Sequence, residues 1–545
     1  MIGDVTCAFF HAEEDEEVYV DPPVEWKEIH GYEWVWKLER QLYGRRPAPR
    51  KFEDKVARVM CEKLQTVRCK EVPHLYFHPT KGVAIEVHVD DFYAVGPGNA
   101  PWEVMTELKK HLTINLEGPF KPGDSFVHLK RKRVITNDGL WITPGDAHLK
   151  KLLELTGLHW SSTGRDTPQT KDLSSIREAE PLSPEDGTLF RSITGILMYL
   201  ANDRPDVQYT VNELACAMAK PTRQALEAAK HLVRYLLKTK DFGIFFSNTW
   251  EDTDQLTVWT DSDWAGDKQT RRSRTAVHLC WGDCLLYSYT RRQTVVAQSS
   301  AEAELYATAS GVSEGILLRK VLAFFGYTVG LQTITDSSAN NAVSHRLGVG
   351  KIRHLETKVL WLQDLVYDGR LVMRWIRGQQ HPADLGTKVL QKKRIQELCK
   401  MAGIGPLNDS VGVRSITAGS HPANWEGIPI GKLLALATLV SQVPGIRGTE
   451  LVVPDHTTSI WTMESLPLGF LILLVLVWFG IWGLCYLCGK KQVQKIQMKL
   501  TLYKGKDSTR IRLRKDCRAL KNSTTVQEWQ VCQFCTEAWL QPKVD

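Results

Sequence analysis

The sequence predicts a mixed protein of the α+β or α/β class, in which strand-rich and helix-rich stretches follow one another. Three observations predict it. A β-branched run, Val83-Ala84-Ile85-Glu86-Val87-His88-Val89, meets Asp90-Asp91 and continues as Phe92-Tyr93-Ala94-Val95, the pattern of two strands about an acidic turn. Leu197, Leu200, Val207, Val211 and Leu214, then Ala229, Leu232, Val233, Leu236 and Leu237, recur at helical spacing. Between 255 and 400, strand runs come first and then alternate with helical ones, as in a sheet covered by helices.

Size and composition bound the reading. The chain has 545 residues, which at roughly 100–200 residues per domain gives about three or four domains and no shortage of core. Charged residues at 24% and hydrophobic ones at 43% exclude a wholly disordered chain, a collagen-like fibre and a polytopic membrane protein. The 12 cysteines have no regular spacing over most of the chain and make no disulfide framework. The first ten residues hold neither a basic nor an apolar stretch, so no secretory signal is expected and a reducing compartment is the default. Within the total charge of +7, residues 489–545 hold 13 Lys and Arg against 5 Asp and Glu, a net of +8. The preceding residues therefore sum to −1, and any nucleic-acid binding there must come from local basic patches.

Taken in order, residues 1–135 mix short strand-like runs with aromatics and Pro-rich turns. Residues 136–250 read as mostly helical, with Pro205 and Pro221 as punctuation. Residues 251–400 open on a strand over 256–261 and pass through a basic turn, Arg271-Arg272-Ser273-Arg274, to strand runs at 275–279 and 285–289. A helix is predicted over 301–325, then a strand over 331–335 ending on Asp336, a second helix, a strand over 371–376 and a last helix from Pro382. A loose segment, 401–465, precedes an uncharged run, 466–488, and a basic tail, 489–545. The sequence has no repeat of fixed period.

The acids of 251–400 stand where a catalytic sheet would use them. Asp261 and Asp336 each end a strand, Glu304 lies in the first turns of a helix, and Asp384 begins another element. Clustered carboxylates repel unless a cation neutralises them, and Mg2+ takes oxygen ligands while keeping several waters. Taken singly, each Asp is equally a turn former or N-cap.

The surrounding motifs narrow that choice. Thr260-Asp261-Ser262-Asp263-Trp264-Ala265-Gly266-Asp267, Gln298-Ser299-Ser300-Ala301-Glu302-Ala303-Glu304-Leu305, Thr335-Asp336-Ser337-Ser338-Ala339 and Pro382-Ala383-Asp384-Leu385-Gly386-Thr387-Lys388 occur in this order. Together they resemble the ribonuclease H domain of copia-type retrotransposon Pol polyproteins. The resemblance implies a ribonuclease H-like mixed sheet in which Asp261, Glu304, Asp336 and Asp384 bind two Mg2+ ions, or Mn2+, and cut RNA in an RNA–DNA hybrid. Glu302 competes with Glu304. Residues two apart on a helix do not share a face, so only one reaches the metals, and Glu304 fits the family's helix start better.

The resemblance extends upstream, to cover about residues 1–395. Leu197-Met198-Tyr199-Leu200, Arg204-Pro205-Asp206-Val207 and Lys220-Pro221-Thr222 look like the family's helical connection. Asp4-Val5-Thr6-Cys7-Ala8-Phe9, Leu42-Tyr43-Gly44 with Ala48-Pro49-Arg50, and His88-Val89-Asp90-Asp91 resemble motifs of its reverse transcriptase. A truncated palm and thumb is implied, with Asp4 and Asp90 holding two Mg2+ ions, Asp91 in support and Phe9 excluding a ribose 2′-hydroxyl on a primer-template. The chain starts three residues before Asp4, without the fingers; Pro47 stands where the family usually has Gln, and His88 where it has Tyr. RNA-directed DNA polymerisation is therefore expected to be impaired, unless upstream polyprotein parts are supplied in trans. The alternative reading is a catalytically inactive, nucleic-acid-binding or membrane-anchored relic.

Basic runs interleave with aromatics near both sites: Arg45-Arg46, Arg50-Lys51, Lys130-Arg131-Lys132-Arg133, the set Arg271, Arg272 and Arg274, and Arg291-Arg292. They predict phosphate contacts, with a solvated charged face as the bland alternative. His354, in Lys351-Ile352-Arg353-His354, resembles a family basic-His segment, which implies substrate contact or help in product release, with a plain surface histidine as the alternative. Residues 466–488 give 23 residues without a charge. At 1.5 Å per residue that spans roughly 30 Å and predicts one transmembrane helix, with Lys490, Lys491, Lys495 and Lys499 just after it. The expected location is a membrane, with the enzymatic body cytosolic, or nucleus or cytoplasm if the span is not inserted.

Overall fold

The structure, a computed structural model, describes residues 1–169, 173, 176–247, 254–348, 350, 357–407, 501–505 and 526–530. The chain divides into two compact units, Met1–Pro454 and Asp455–Asp545. In the second unit the strands Thr501–Gly505 and Val526–Gln530 pair antiparallel. The first unit holds three main sheets and a helical layer.

The first sheet is antiparallel, in the order Val67–Arg68, Leu75–His78, Val83–His88, Asp91–Val95, Ile2–Val5, Ile114–Glu117. Successive side chains of a strand point to opposite faces, and here both faces are apolar. Val83, Ile85, Phe92 and Ala94 pack with Phe52, Met60, Met105 and Leu108 from the helical side. Ala84, Tyr93 and Val95 belong to the core on the opposite face.

The second sheet runs Ile404–Pro406, Phe242–Ser247, Gly139–Pro144, Arg131–Thr136, Ser125–His128. Its hairpin Arg131–Thr136 with Gly139–Pro144 crosses the boundary expected at 135, and its strand Phe242–Ser247 pairs with Ile404–Pro406 from far along the chain. The stretch expected to be mostly helical therefore begins and ends in strands. Between them, among the described residues, lie four α-helices, Asp146–Thr156, Pro184–Leu200, Gln208–Cys216 and Arg223–Lys238. Two of them start as sequence rules require: Ser183 and Thr222 accept the backbone N–H of Asp186 and Ala225 at 3.1 and 3.2 Å. Their apolar positions form one core around Phe190, Leu197, Leu214, Leu232 and Val233.

The third sheet has the order Cys284–Arg292, Arg274–Trp281, Gln255–Asp263, Gly330–Thr335, Val372–Trp375. The first three strands are antiparallel, and the last two run parallel to Gln255–Asp263 and to each other. The helix Ser300–Phe324 crosses this sheet closely because Gly311 and Gly315 face it. A Cβ at Gly311 would lie 2.7 Å from Thr260 Cγ2 and 2.8 Å from Val258 Cγ1. Replacing Gly311 with Ala should therefore lower the melting temperature. The helix-propensity gain of about 0.5–1 kcal/mol is outweighed by an overpacking cost of roughly 1–3 kcal/mol. A rise in melting temperature would contradict this packing.

Two further expectations differ from the structure. Instead of a helix from Pro382, a single 3-10 turn, Pro382–Gly386, precedes the helix Lys392–Met401. Gly386 presses on the sheet, where a Cβ would meet Ala276 Cβ at 2.6 Å, and the tight turn brings it there. The membrane location is also corrected. Among the described residues no helix is long and apolar enough to cross a membrane. The longest, Ser300–Phe324, carries Glu302, Glu304, Glu314, Arg319 and Lys320. The run 466–488 lies outside the described residues.

Candidate active site

The third sheet gathers acids from separate elements. Asp261 lies near the end of the central strand Gln255–Asp263, Asp336 follows Gly330–Thr335 on the neighbouring parallel strand, and Asp384 sits in the Pro382–Gly386 turn. One carboxylate oxygen from each lies within 4.8 Å of the others, and among the described residues this is the one group of three or more His, Cys, Asp or Glu so disposed. Asp261 and Asp384 are buried and Asp336 is half-buried.

Glu304, on the helix Ser300–Phe324, stands outside that group of three but beside it. Its Oε1 accepts the Ser262 backbone N–H at 3.1 Å, while its buried Oε2 has no hydrogen-bond partner. Burial, and then the charges of Asp261 and Asp336, push its carboxyl up to about 9. Burial and Asp261 likewise raise Asp336. Glu302 is used differently. Ser299 Oγ accepts the Glu302 backbone N–H at 3.2 Å and Glu302 Oε2 accepts the Gln298 N–H at 2.7 Å, a reciprocal cap of the helix start. The two glutamates differ in their contacts: Glu302 caps the helix start, while Glu304 accepts the Ser262 N–H next to Asp261.

Three groups that sequence reasoning passed over hold the cluster. Thr387 Oγ1 donates to Asp261 Oδ2. Lys388 Nζ donates to Asp384 Oδ1 and lies 3.6 Å from Asp261 Oδ2. Arg394 Nη2 is 3.3 Å from Asp384 Oδ2. Burial alone would lower the Lys388 ammonium, but Asp261, Asp384 and Asp336 outweigh it and the group is raised. The signal available was spacing, since Lys388 follows Asp384 by four residues and closes the same motif.

The donor set suits a hard divalent cation. It is all oxygen, it includes an orphaned carboxylate oxygen in the interior, and burial with neighbouring negative charge raises two of its acids, Glu304 and Asp336.

The acids of the first sheet are arranged more loosely. Asp4 is exposed and stands opposite Asp91 across the Ile2–Val5 and Asp91–Val95 pair. Asp90 occupies the hairpin tip, where its carbonyl accepts the Val5 N–H at 2.9 Å. Val89 beside it takes φ +58°, a conformation costing a β-branched residue roughly 1–3 kcal/mol. Burial, then Asp90 and Asp4, raise the Asp91 carboxyl. These three do not meet within the 4.8 Å that unites the third-sheet acids. Phe9 is half-buried against Tyr43, ring centroids 4.6 Å apart.

The basic residues divide. Arg271 is exposed, and Arg272 is half-buried. Arg274 is buried, with its guanidinium on Asp263 Oδ2 at 2.5 Å and on Glu213, so it does not face solvent as the run suggested. His354 lies outside the described residues.

Comparison with known proteins adds ancestry. Residues 2–121 match the family described as reverse transcriptase (RNA-dependent DNA polymerase). The chain is 27% identical over 415 residues to a retrovirus-related Pol polyprotein from transposon TNT 1-94 of Nicotiana tabacum, covering 73% of this chain and 30% of that protein. It is 26% identical over 410 residues to the one from transposon RE1 of Arabidopsis thaliana, covering 74% and 27%. The chain thus spans less than a third of the length of these relatives. A solved structure of the foamy viral protease-reverse transcriptase in complex with RNA/DNA hybrid aligns with a TM-score of 0.41 at 12% identity, over 69% of this chain and 44% of that one.

Proposed function

Because this chain belongs to the copia-type retrovirus-related Pol polyproteins, we propose that it is a divalent-metal-dependent nuclease cutting RNA in RNA–DNA hybrids. The observation that carries the reading is the meeting of Asp261, Asp336 and Asp384 within 4.8 Å, from two strand ends and a turn. Glu304 is proposed as the fourth acid, since it feels the charges of Asp261 and Asp336 and keeps one buried oxygen without a hydrogen-bond partner.

In this reading the four carboxylates hold two Mg2+ or Mn2+ ions, which when bound activate a water and stabilise the leaving oxygen of a phosphodiester. The protein's own groups do the rest. The Thr387 hydroxyl orients Asp261, the Ser262 N–H orients Glu304, and Arg394 orients Asp384. Such bonds fix acids that would otherwise turn away from one another. Exposed Arg271, with half-buried Arg272 next to it, offers positive charge to a phosphate backbone. The looser Asp4, Asp90 and Asp91 set is a weaker basis for primer extension, so the nuclease site is the reading favoured here.

The test is incubation of the full chain with a labelled RNA–DNA hybrid and Mg2+. Cleavage of the RNA strand that stops on chelation is expected. No cleavage, or cleavage that survives Asp336→Asn unchanged, would remove the proposal.

A further inference from the structure

The turn that delivers Asp384 also delivers a cation. Lys388 Nζ donates to Asp384 Oδ1 and stands 3.6 Å from Asp261 Oδ2, so one ammonium bridges two of the three converging carboxylates. Thr387, its neighbour, holds the same Asp261 oxygen. The side chain is 42% exposed, and a lysine is a point charge on a flexible four-carbon stem. It can withdraw toward solvent without disturbing the sheet. Arg394 is less free, since Gly378 O at 3.3 Å and Glu397 at 3.5 Å hold it as well.

A divalent ion among these acids and an ammonium on two of them cannot both keep contact distance, because like charges that close repel. We infer that Lys388 is a built-in counter-cation of the carboxylate cluster, which exchanges with a divalent ion and thereby sets how much of that ion the site requires. The inference rests on reading the cluster as a metal site. Lys388 acts through Asp261 and Asp384 and is a positioning residue.

The test reads metal binding without substrate: Mn2+ titrated into the full chain, with free ion followed by electron paramagnetic resonance. Lys388→Met is expected to bind Mn2+ on the order of tenfold more tightly than the unaltered chain. Lys388→Gln, which keeps a hydrogen-bond donor but no charge, is expected to do the same. Lys388→Arg, which keeps the charge, should stay within about threefold. Asp336→Asn should bind more weakly. Equal or weaker binding by both uncharged variants, while Asp336→Asn still loses binding, would overturn the role of Lys388 alone. An increase in Lys388→Arg as large as in Lys388→Met would also overturn it, since charge would not be the cause. Absence of Mn2+ binding in every chain would overturn the metal site, and this inference with it.

Discussion

Replacing Asp261 with Asn is expected to slow hybrid cleavage by roughly 10²–10⁴-fold, the scale on which losing one charge-stabilising group acts. Asn has nearly the same shape and can still accept from Thr387, so folding should persist and the circular dichroism spectrum should not change. What disappears is the charge at the centre of the cluster: Asp261 stands 3.6 Å from Lys388 and acts on both Glu304 and Asp336. The informative contrast is Glu302→Gln. Glu302 lies two residues from Glu304 but caps the helix, and Gln can still accept the Gln298 N–H, so the change should cost less than about 1 kcal/mol of stability and leave the cleavage rate within a few-fold. If Glu302→Gln silenced cleavage and Glu304→Gln did not, the assignment of the two glutamates would be reversed.

The second large effect is structural. Arg204 is buried and donates twice to Asp206, at 2.9 and 2.7 Å, and twice to Thr239, at 3.0 and 2.7 Å. The Tyr235 hydroxyl donates to the same Asp206 at 2.7 Å. Removing one partner of a buried ion pair typically costs 3–5 kcal/mol, because the other charge is left uncompensated. Arg204→Met should therefore loosen the helical layer by about that amount, read as faster hydrogen exchange across Arg223–Lys238. Pairing it with Asp206→Leu should recover part of the loss. Exchange changed by less than about tenfold in Arg204→Met would show that the network carries little stability.

Local patterns were legible wherever one element carried the signal. The hairpin Val83–His88 with Asp91–Val95 follows from alternation and an acidic turn, and Ser300–Phe324 begins one residue from its expected start. Asp261, Asp336 and Asp384, which the structure brings within 4.8 Å of one another, were each picked out by a motif, whereas Glu304 stands outside that group. Long-range pairing was not: the second sheet joins strands near 130, 245 and 405, and nothing within any one of them encodes its partner. The same gap misdirected the basic runs. Lys130-Arg131-Lys132-Arg133 reads as a charged face, yet a strand turns alternate residues inward, so Arg131 and Arg133 are buried. Arg131 meets Asp203 at 2.8 Å, and Arg133 Nη1 donates to His128 O at 2.9 Å. Arg274 is buried for another reason: its strand, Arg274–Trp281, is buried along its whole length, and its partners Asp263 and Glu213 come from elsewhere. Lys388 was hidden otherwise, since its role depends on two acids brought together only by folding.

The late closure of the second sheet bears on how the molecule is made. Phe242–Ser247 finds its neighbour Gly139–Pro144 upstream, but its other flank waits for Ile404–Pro406. At about 5–20 residues per second, a ribosome needs roughly 10–30 s to deliver the intervening ~160 residues. Throughout that interval the nascent chain presents unpaired backbone groups beside exposed Phe and Ile side chains, a ready template for clumping. A message that stops short of codon 404 would leave that flank open for good.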